Sequence, residues 1–307
     1  MLLTRRHALI AGAVAPLLPA LAPQIAFAKA EPMGAATAAF NRFKFGDFEV
    51  TTLLAGSATV DAPQKIFGIN VTPEEFAAVS AENFIPTEKA QFFFNPTVVN
   101  TGAELVLFDT GMAPEGIVAA LTAAGYSADQ VDVVVITHMH PDHIGGLATP
   151  AGPTFPNARY VTGAIEYDHW AGQANEQFDG LVRPLADRMT MLDDGASVAA
   201  GITAMAAFGH TPGHFAYRLE SGGQQLVLIA DTANHYVWSL AYPDWEVSFD
   251  ADKAAAAATR KTLLGMLAAD KIPFVGYHMP FPGLGFVETR GDGFRYVPAS
   301  YQMMLNG

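Results

Sequence analysis

The segment Thr137-His138-Met139-His140-Pro141-Asp142-His143 puts four side chains able to bind a metal within six residues. Histidines at positions i and i+2 of an extended segment can converge on one ion. The turn made by Pro141 then directs Asp142 and His143 towards a neighbouring ion. Gly145 and Gly146 let the backbone pass close beneath such a site. Packing alone does not gather imidazole and carboxylate on a loop in this way. Three more segments carry the same residue types: His210 and His214 in Gly209-His210-Thr211-Pro212-Gly213-His214, Asp231 after Leu226 to Ala230, and His278 after Pro273 to Tyr277. Taken singly, Asp231 reads equally well as a turn cap, and a lone histidine is more often structural. Taken together, each lies where an apolar, strand-like run ends. The 307 residues include no cysteine, which excludes disulfides, thiolate ligands and cysteine nucleophiles. Imidazole with carboxylate suits zinc or another borderline divalent ion.

The elements that must carry these loops are legible in outline. Residues 131 to 136 (VDVVVI) form a short apolar run, as expected of a strand buried on both faces. Residues 43 to 60 alternate around Gly46 and Gly56, which predicts strands joined by turns. Phe92 to Asn100 and Leu105 to Phe108 read as strands. Thr72-Pro73-Glu74-Glu75 predicts a helix start, and Pro114 to Ala124 a helix ended by Gly125. Strands near 202 to 207, 215 to 220 and 225 to 230 follow. Next comes an alanine-rich helix over about 251 to 269, with Lys253, Arg260 and Lys261 assigned to its polar side. A strand at Pro273 to Tyr277 and a hairpin over 286 to 297 close the chain. Strands and helices mixed in two similar halves predict an α/β fold in which two sheets face each other with helices outside.

Half of the residues are hydrophobic and 15% are charged, a balance that fits a globular chain with a sizeable core. A net charge of −13 argues against general affinity for nucleic acid. Residues 1 to 28 read as an export signal: Arg5 and Arg6, the apolar run Ala8 to Ala22, then Ala26-Phe27-Ala28 as a small-x-small cleavage pattern. Thr4-Arg5-Arg6-His7 resembles a twin-arginine signal, which implies a periplasmic or secreted protein. Residues 29 to 307 are expected to form a single catalytic domain, with no stable membrane insertion once the signal is removed.

The motifs HMHPDH (138 to 143) and GHTPGH (209 to 214), with Asp231 and His278, resemble those of the metallo-β-lactamase superfamily. The likeness extends from about Phe43 to Leu305 and is greatest to the branch of methyl parathion hydrolase and related lactone and aryl-ester hydrolases. The resemblance implies an αββα four-layer sandwich with two divalent metal ions, zinc first among them. His138, His140 and His210 would hold one ion, Asp142, His143 and His278 the other, and Asp231 would bridge the two. Asp109 would orient a ligand histidine, and His214 would stand behind the ligands. The implied chemistry is hydrolysis of a lactone, aryl ester or organophosphate triester by a metal-activated water, with Asp142 or Asp231 passing a proton to the leaving group. Phe92, Phe93, Phe94, Trp170, Tyr236, Trp238 and Phe281 are expected to contribute an aromatic wall for an apolar small molecule. Asn234 stands where acyl-homoserine lactonases have a tyrosine, and Phe286 where the parathion-hydrolase branch has a histidine. The competing readings are a periplasmic β-lactamase, a mononuclear iron oxidoreductase and a metal-holding protein without catalysis. Related enzymes are often homodimers.

Overall fold

Val133 and Val135 point into one apolar cluster and Val134 into another. This is the alternation of a strand covered on both faces. A computed structural model describes residues 33–303; the expected export signal lies outside the described residues. The compact unit that carries the metal-binding motifs begins at Ala38. Its elements run β1 (Phe40–Phe45), β2 (Phe48–Leu53), β3 (Gly56–Asp61), α1 (Pro73–Glu82), β4 (Lys89–Phe94), β5 (Thr97–Asn100), β6 (Leu105–Phe108), α2 (Pro114–Ala123), β7 (Val133–Val135), α3 (Pro141–Ile144), β8 (Ala148–Thr149), β9 (Gly152–Pro153), β10 (Arg159–Gly163), α4 (Ala164–Ala171) and β11 (Met189–Leu192). The second half follows as β12 (Ser197–Ala199), β13 (Ile202–Ala206), β14 (Phe215–Ser221), β15 (Gln224–Ala230), α5 (Lys253–Asp270), β16 (Phe274–Gly276), β17 (Leu284–Arg290) and β18 (Gly293–Pro298).

Two seven-stranded sheets result, in the orders β1-β2-β5-β6-β7-β10-β11 and β12-β13-β14-β15-β16-β17-β18. One apolar cluster takes Val50, Val106, Val133 and Val161 from the first sheet and Ile202, Tyr217, Leu226 and Val275 from the second, so the sheets face each other. The outer face of the first sheet packs Leu107 and Val134 against Ile117 and Leu121 of α2. The outer face of the second packs Val227 and Phe274 against Leu263, Leu264 and Leu267 of α5. These layers make the αββα sandwich of the metallo-β-lactamase fold.

Three expectations need correction. The run Phe92 to Asn100 is two strands: Asn95-Pro96 breaks it, β4 pairs only with β3, and β5 enters the first sheet. Arg260 is not on a polar face. It lies on the buried stripe of α5 with Ala256, Leu263, Leu264 and Leu267. Trp238 lines no cleft; it is fully buried, packed on Phe67 and Phe76, and its indole N–H donates to Ser80 Oγ. Among the described residues no helix is long and apolar enough to cross a membrane.

Candidate metal centre

Parallel pairing of β6, β7 and β10 sets three strand ends side by side, and β15 pairs in parallel with β16 in the facing sheet. Loops leaving strand ends in such sheets share one edge, where open α/β folds bind ligands. The loop after β7 turns through Pro141, the first residue of the one-turn helix α3. That turn sends His138 and His140 one way and Asp142 and His143 the other. A Cβ on Gly145 would lie 2.2 Å from Met112 O, and one on Gly146 2.2 Å from Thr110 O. Only glycine allows the approach the sequence predicted there. At the end of β15 the register shifts between Leu228 and Ala230, and Ala230 adopts φ +43. This bulge aims Asp231 inward. Asp109, at the end of β6, also has a positive φ of 60. Two non-glycine residues held in this region, at a cost of about 1–3 kcal/mol each, both adjoin the same centre.

The seven expected ligands come together. His140 Nδ1 lies 3.1 Å from His138 Nε2 and 3.0 Å from His210 Nε2. On the other side, His278 Nε2 is 3.2 Å and His143 Nε2 3.5 Å from Asp142 Oδ2. Asp231 stands between: Oδ1 is 3.3 Å from His143 Nε2, and Oδ2 is 3.4 Å from His210 Nε2 and 3.2 Å from His278 Nε2. Both triads, His138/His140/His210 and Asp142/His143/His278, keep their donor atoms within 4.8 Å of one another.

The donor chemistry fits cations. His143 Nδ1 faces Asp109 Oδ2 at 2.8 Å, His210 Nδ1 faces Asp250 Oδ1 at 2.8 Å, and His278 Nδ1 faces Phe93 O at 2.9 Å. His138 Nδ1 meets Thr137 Oγ1, whose own proton goes to Asp109 Oδ2. Each Nδ1 faces an acceptor and so carries the proton of the neutral ring. Four Nε2 lone pairs are thereby turned inward. His143 Nε2 and Asp231 Oδ1 are buried without a hydrogen-bond partner, as expected of groups whose partner is a metal. The electrostatics divide the same way. Burial and the neighbouring rings hold His140 down at about 3 and His138 well below its ordinary value. Burial opposes charge on His278 too, but Asp231 and Asp142 lift it to about 10. Asp231 resists ionisation through burial, yet His278 and His143 hold its carboxyl well below the carboxylate range. One side is a pocket of neutral imidazoles; the other is a set of carboxylates that calls for positive charge.

Asp109 and His214 stand behind the seven donor side chains. His214 Nδ1 faces Ala207 O, and its Nε2 accepts the backbone N–H of Asp231. The aromatic wall is largely different from expectation. The cleft over the donor atoms, about 300 Å³, is lined by Ala58, Val60, Phe92, Phe94, Met112 and Phe249 together with His140, Pro141, Asp142, Asp231 and His278. Phe92 and Phe94 belong there. Phe93 alternates to the opposite face of β4 and, with Tyr236, lines a different cavity. Phe281 lines neither. The Trp170 ring stands edge-on to His140, with centroids 6.2 Å apart, outside the cleft lining.

Two buried acids were not found from sequence. Asp250 links His210 to Arg260. Glu166 accepts from Met139 N (2.9 Å) and Trp170 Nε1 (2.7 Å) on one oxygen, and from Thr211 Oγ1 (2.7 Å) and Gly213 N (3.0 Å) on the other. It ties the loop bearing His138 and His140 to the loop bearing His210. A Cβ on Gly213 would lie 2.1 Å from Glu166 N, so the contact needs that glycine. Glutamine at 166 would turn an NH2 towards two of the four donors. Glu166→Gln is expected to weaken metal binding about 10- to 100-fold, measured by competition with a zinc chelator. Unchanged affinity would mean the loops hold their places without it.

The model of the metallo-beta-lactamase superfamily matches residues 92–273, and the chain belongs to that superfamily. The N-acyl homoserine lactonase AttM of Azorhizobium caulinodans is 30% identical over 141 residues, 40% of this chain and 50% of AttM. The Beta-lactamase-like protein 2 homolog of Caenorhabditis elegans is 28% identical over 131 residues, 41% of this chain and 40% of that protein. The chain therefore spans half or less of the curated relatives it matches. Among solved structures, AidC, described as a dizinc quorum-quenching lactonase in complex with a product, superimposes with a TM-score of 0.79 and 28% identity over 85% of this chain and 97% of AidC. The hydrolase AbOPH of the beta lactamase superfamily gives 0.80 and 25% over 87% and 99%. Lactonases and a further hydrolase of this superfamily are thus among the proteins it resembles.

Proposed function

We propose that the chain is a dizinc lactonase for uncharged lactones bearing an apolar acyl chain, with aryl esters and phosphotriesters as lesser substrates. The observation that carries this reading is the cleft itself. It opens on the donor atoms of His140, Asp142, Asp231 and His278, and its remaining wall is apolar. Such a wall suits a neutral substrate with a hydrocarbon tail. β-Lactam antibiotics carry a carboxylate, and among the described residues no lysine or arginine lines the cleft to receive one. AttM and AidC, both described as lactonases, support the lactone; the likeness of the motifs to the methyl parathion hydrolase branch supports the lesser substrates. The Arg5-Arg6 leader supports export of the folded chain to the periplasm or beyond.

Two divalent ions held by these residues would supply Lewis acidity and an activated water at neutral pH. The protein's own groups then divide the work. Phe92, Phe94, Met112 and Phe249 bind the apolar tail and exclude water from the reacting carbonyl. Of the two carboxylates in the cleft wall Asp142 is the more open, with its side chain 18% exposed against 4% for Asp231. Asp142, held ionised against the pull of burial by His143 and His278, can take up the proton that the attacking water gives up and hand it to the departing alkoxide, while Asp231, fixed among His143, His210 and His278, would be the shared ligand. The test is a panel on zinc-reconstituted protein: an N-acyl homoserine lactone, an aryl acetate, an aryl phosphotriester and a chromogenic cephalosporin. Fastest turnover of the lactone, abolished by a chelator, is expected. Cephalosporin hydrolysis faster than lactone hydrolysis would sink the reading.

A further inference from the structure

A second cavity, also about 300 Å³, lies behind the metal centre on the other face of β4. Strand alternation sends Phe92 and Phe94 to the metal cleft and Phe93 to this cavity. Its wall is apolar, built by Phe84, Ile85, Phe93 and Tyr236, and it meets the metal cleft only at His278. Two polar groups give it a sign. Lys89 lines it, with a side chain 66% exposed and an exposed partner in Asp61 at 3.3 Å. His235 lines it from within and is 9% exposed. His235 Nδ1 accepts two backbone N–H groups, those of Val237 (3.1 Å) and Trp238 (3.0 Å). The proton of the neutral ring is therefore on Nε2. Burial keeps the ring neutral, drawing its pKa down to about 3, and the ring is fixed by stacking on Trp238 with centroids 4.1 Å apart. Among the described residues Nε2–H has no hydrogen-bond partner, and it is not closed off from solvent. No aspartate or glutamate lines the cavity, in a chain whose net charge is −13.

We propose that this cavity is a second small-molecule site, taking an apolar monocarboxylate whose tail packs on Phe84, Phe93 and Tyr236 and whose carboxylate meets His235 Nε2–H and Lys89. Charge complementarity selects the ligand class: one fixed donor and one ammonium, with no acid in the cavity wall and only the exposed Asp61 beside Lys89, favour an anion. Phe84 points to the same occupant. It is 95% exposed, an exposure that a covering apolar tail would relieve; its φ of +58 belongs to the end of α1, where Ile85 N–H reaches back to Ser80 O. The site does not depend on which ester the metal cleft hydrolyses.

Titration calorimetry of the zinc-loaded protein with octanoate and with octanamide tests it. Lys89→Gln alters a largely exposed side chain and leaves the fold intact. It is expected to weaken octanoate about fivefold and to leave octanamide unchanged. His235→Phe removes the donor and is expected to weaken both ligands about tenfold. Octanoate binding equal to the parent's in Lys89→Gln, or lost equally for acid and amide, would overturn the assignment. So would octanoate binding that vanishes when zinc is removed, because the ligand would then be at the metal cleft.

Discussion

Asp231→Asn is expected to lower kcat/KM by about a thousandfold or more and to reduce the metal content from the proposed two ions per chain towards one. The size follows from the position of the carboxylate, whose two oxygens face His143 Nε2 on one side and His210 and His278 Nε2 on the other. Only a group with two anionic oxygens can serve both triads at once. Asparagine keeps one acceptor and turns an NH2 towards nitrogens whose lone pairs already face inward. Loss of a metal's contribution to the transition state costs several kcal/mol, and each ~1.4 kcal/mol is a factor of ten in rate. The fold should survive, because the clusters between the sheets and under α2 and α5 do not include Asp231. Metal analysis with far-ultraviolet circular dichroism separates loss of the site from loss of the fold. Two tightly held ions and activity within tenfold of the parent would show that Asp231 is not the shared ligand.

The parts of this centre legible in sequence were those carried by local pattern. His138, His140, Asp142 and His143 fall within one turn of chain, and each remaining ligand closes an apolar run that β13, β15 or β16 forms. β10, β11 and β12 were not foreseen. They are three to five residues long, and Tyr160-Val161-Thr162 is buried throughout by parallel pairing with β7 and β11, a pairing no local signal announces. Phe93 faces away from the cleft for a related reason: aromatic type gives no face until the pairing of β3 with β4 fixes it. Glu166 and Asp250 lack any local signature, since their partners lie 27 to 47 residues away for Glu166 at Met139, Thr211 and Gly213, and 40 for Asp250 at His210. Arg260 was readable in principle. Positions 256, 260, 263, 264 and 267 trace one helical stripe, and that periodicity outweighs the charge of the residue type.

Arg260→Met is expected to destabilise the protein by about 3–5 kcal/mol, the scale of a buried ion pair broken on one side. The guanidinium is 1% exposed and donates to Asp250 Oδ2, Thr232 O and Pro243 O, each at 2.9 Å. It thereby pins α5 to the chain following Asp231 and to the chain leading into Asp250. Methionine fills much of the volume but leaves two carbonyls and a buried carboxylate without their donor. Lysine keeps the charge but cannot present a planar fork to three acceptors, so Arg260→Lys should recover only part of the loss. The adjacent residue is an internal control. Lys261 pairs with Asp244 at 2.6 Å, but the two side chains are 46% and 66% exposed. Lys261→Met should therefore change stability by no more than about 0.5 kcal/mol. Urea unfolding of the three variants measures the contrast. Because Asp250 also holds His210 Nδ1, the loss at Arg260 should reach the metal centre. Zinc affinity should fall in Arg260→Met, with Arg260→Lys intermediate and Lys261→Met at the parent's value. Equal unfolding midpoints for Arg260→Met and Lys261→Met would mean that Asp250 finds another donor in the core, and the proposed chain from α5 to His210 would fail with it.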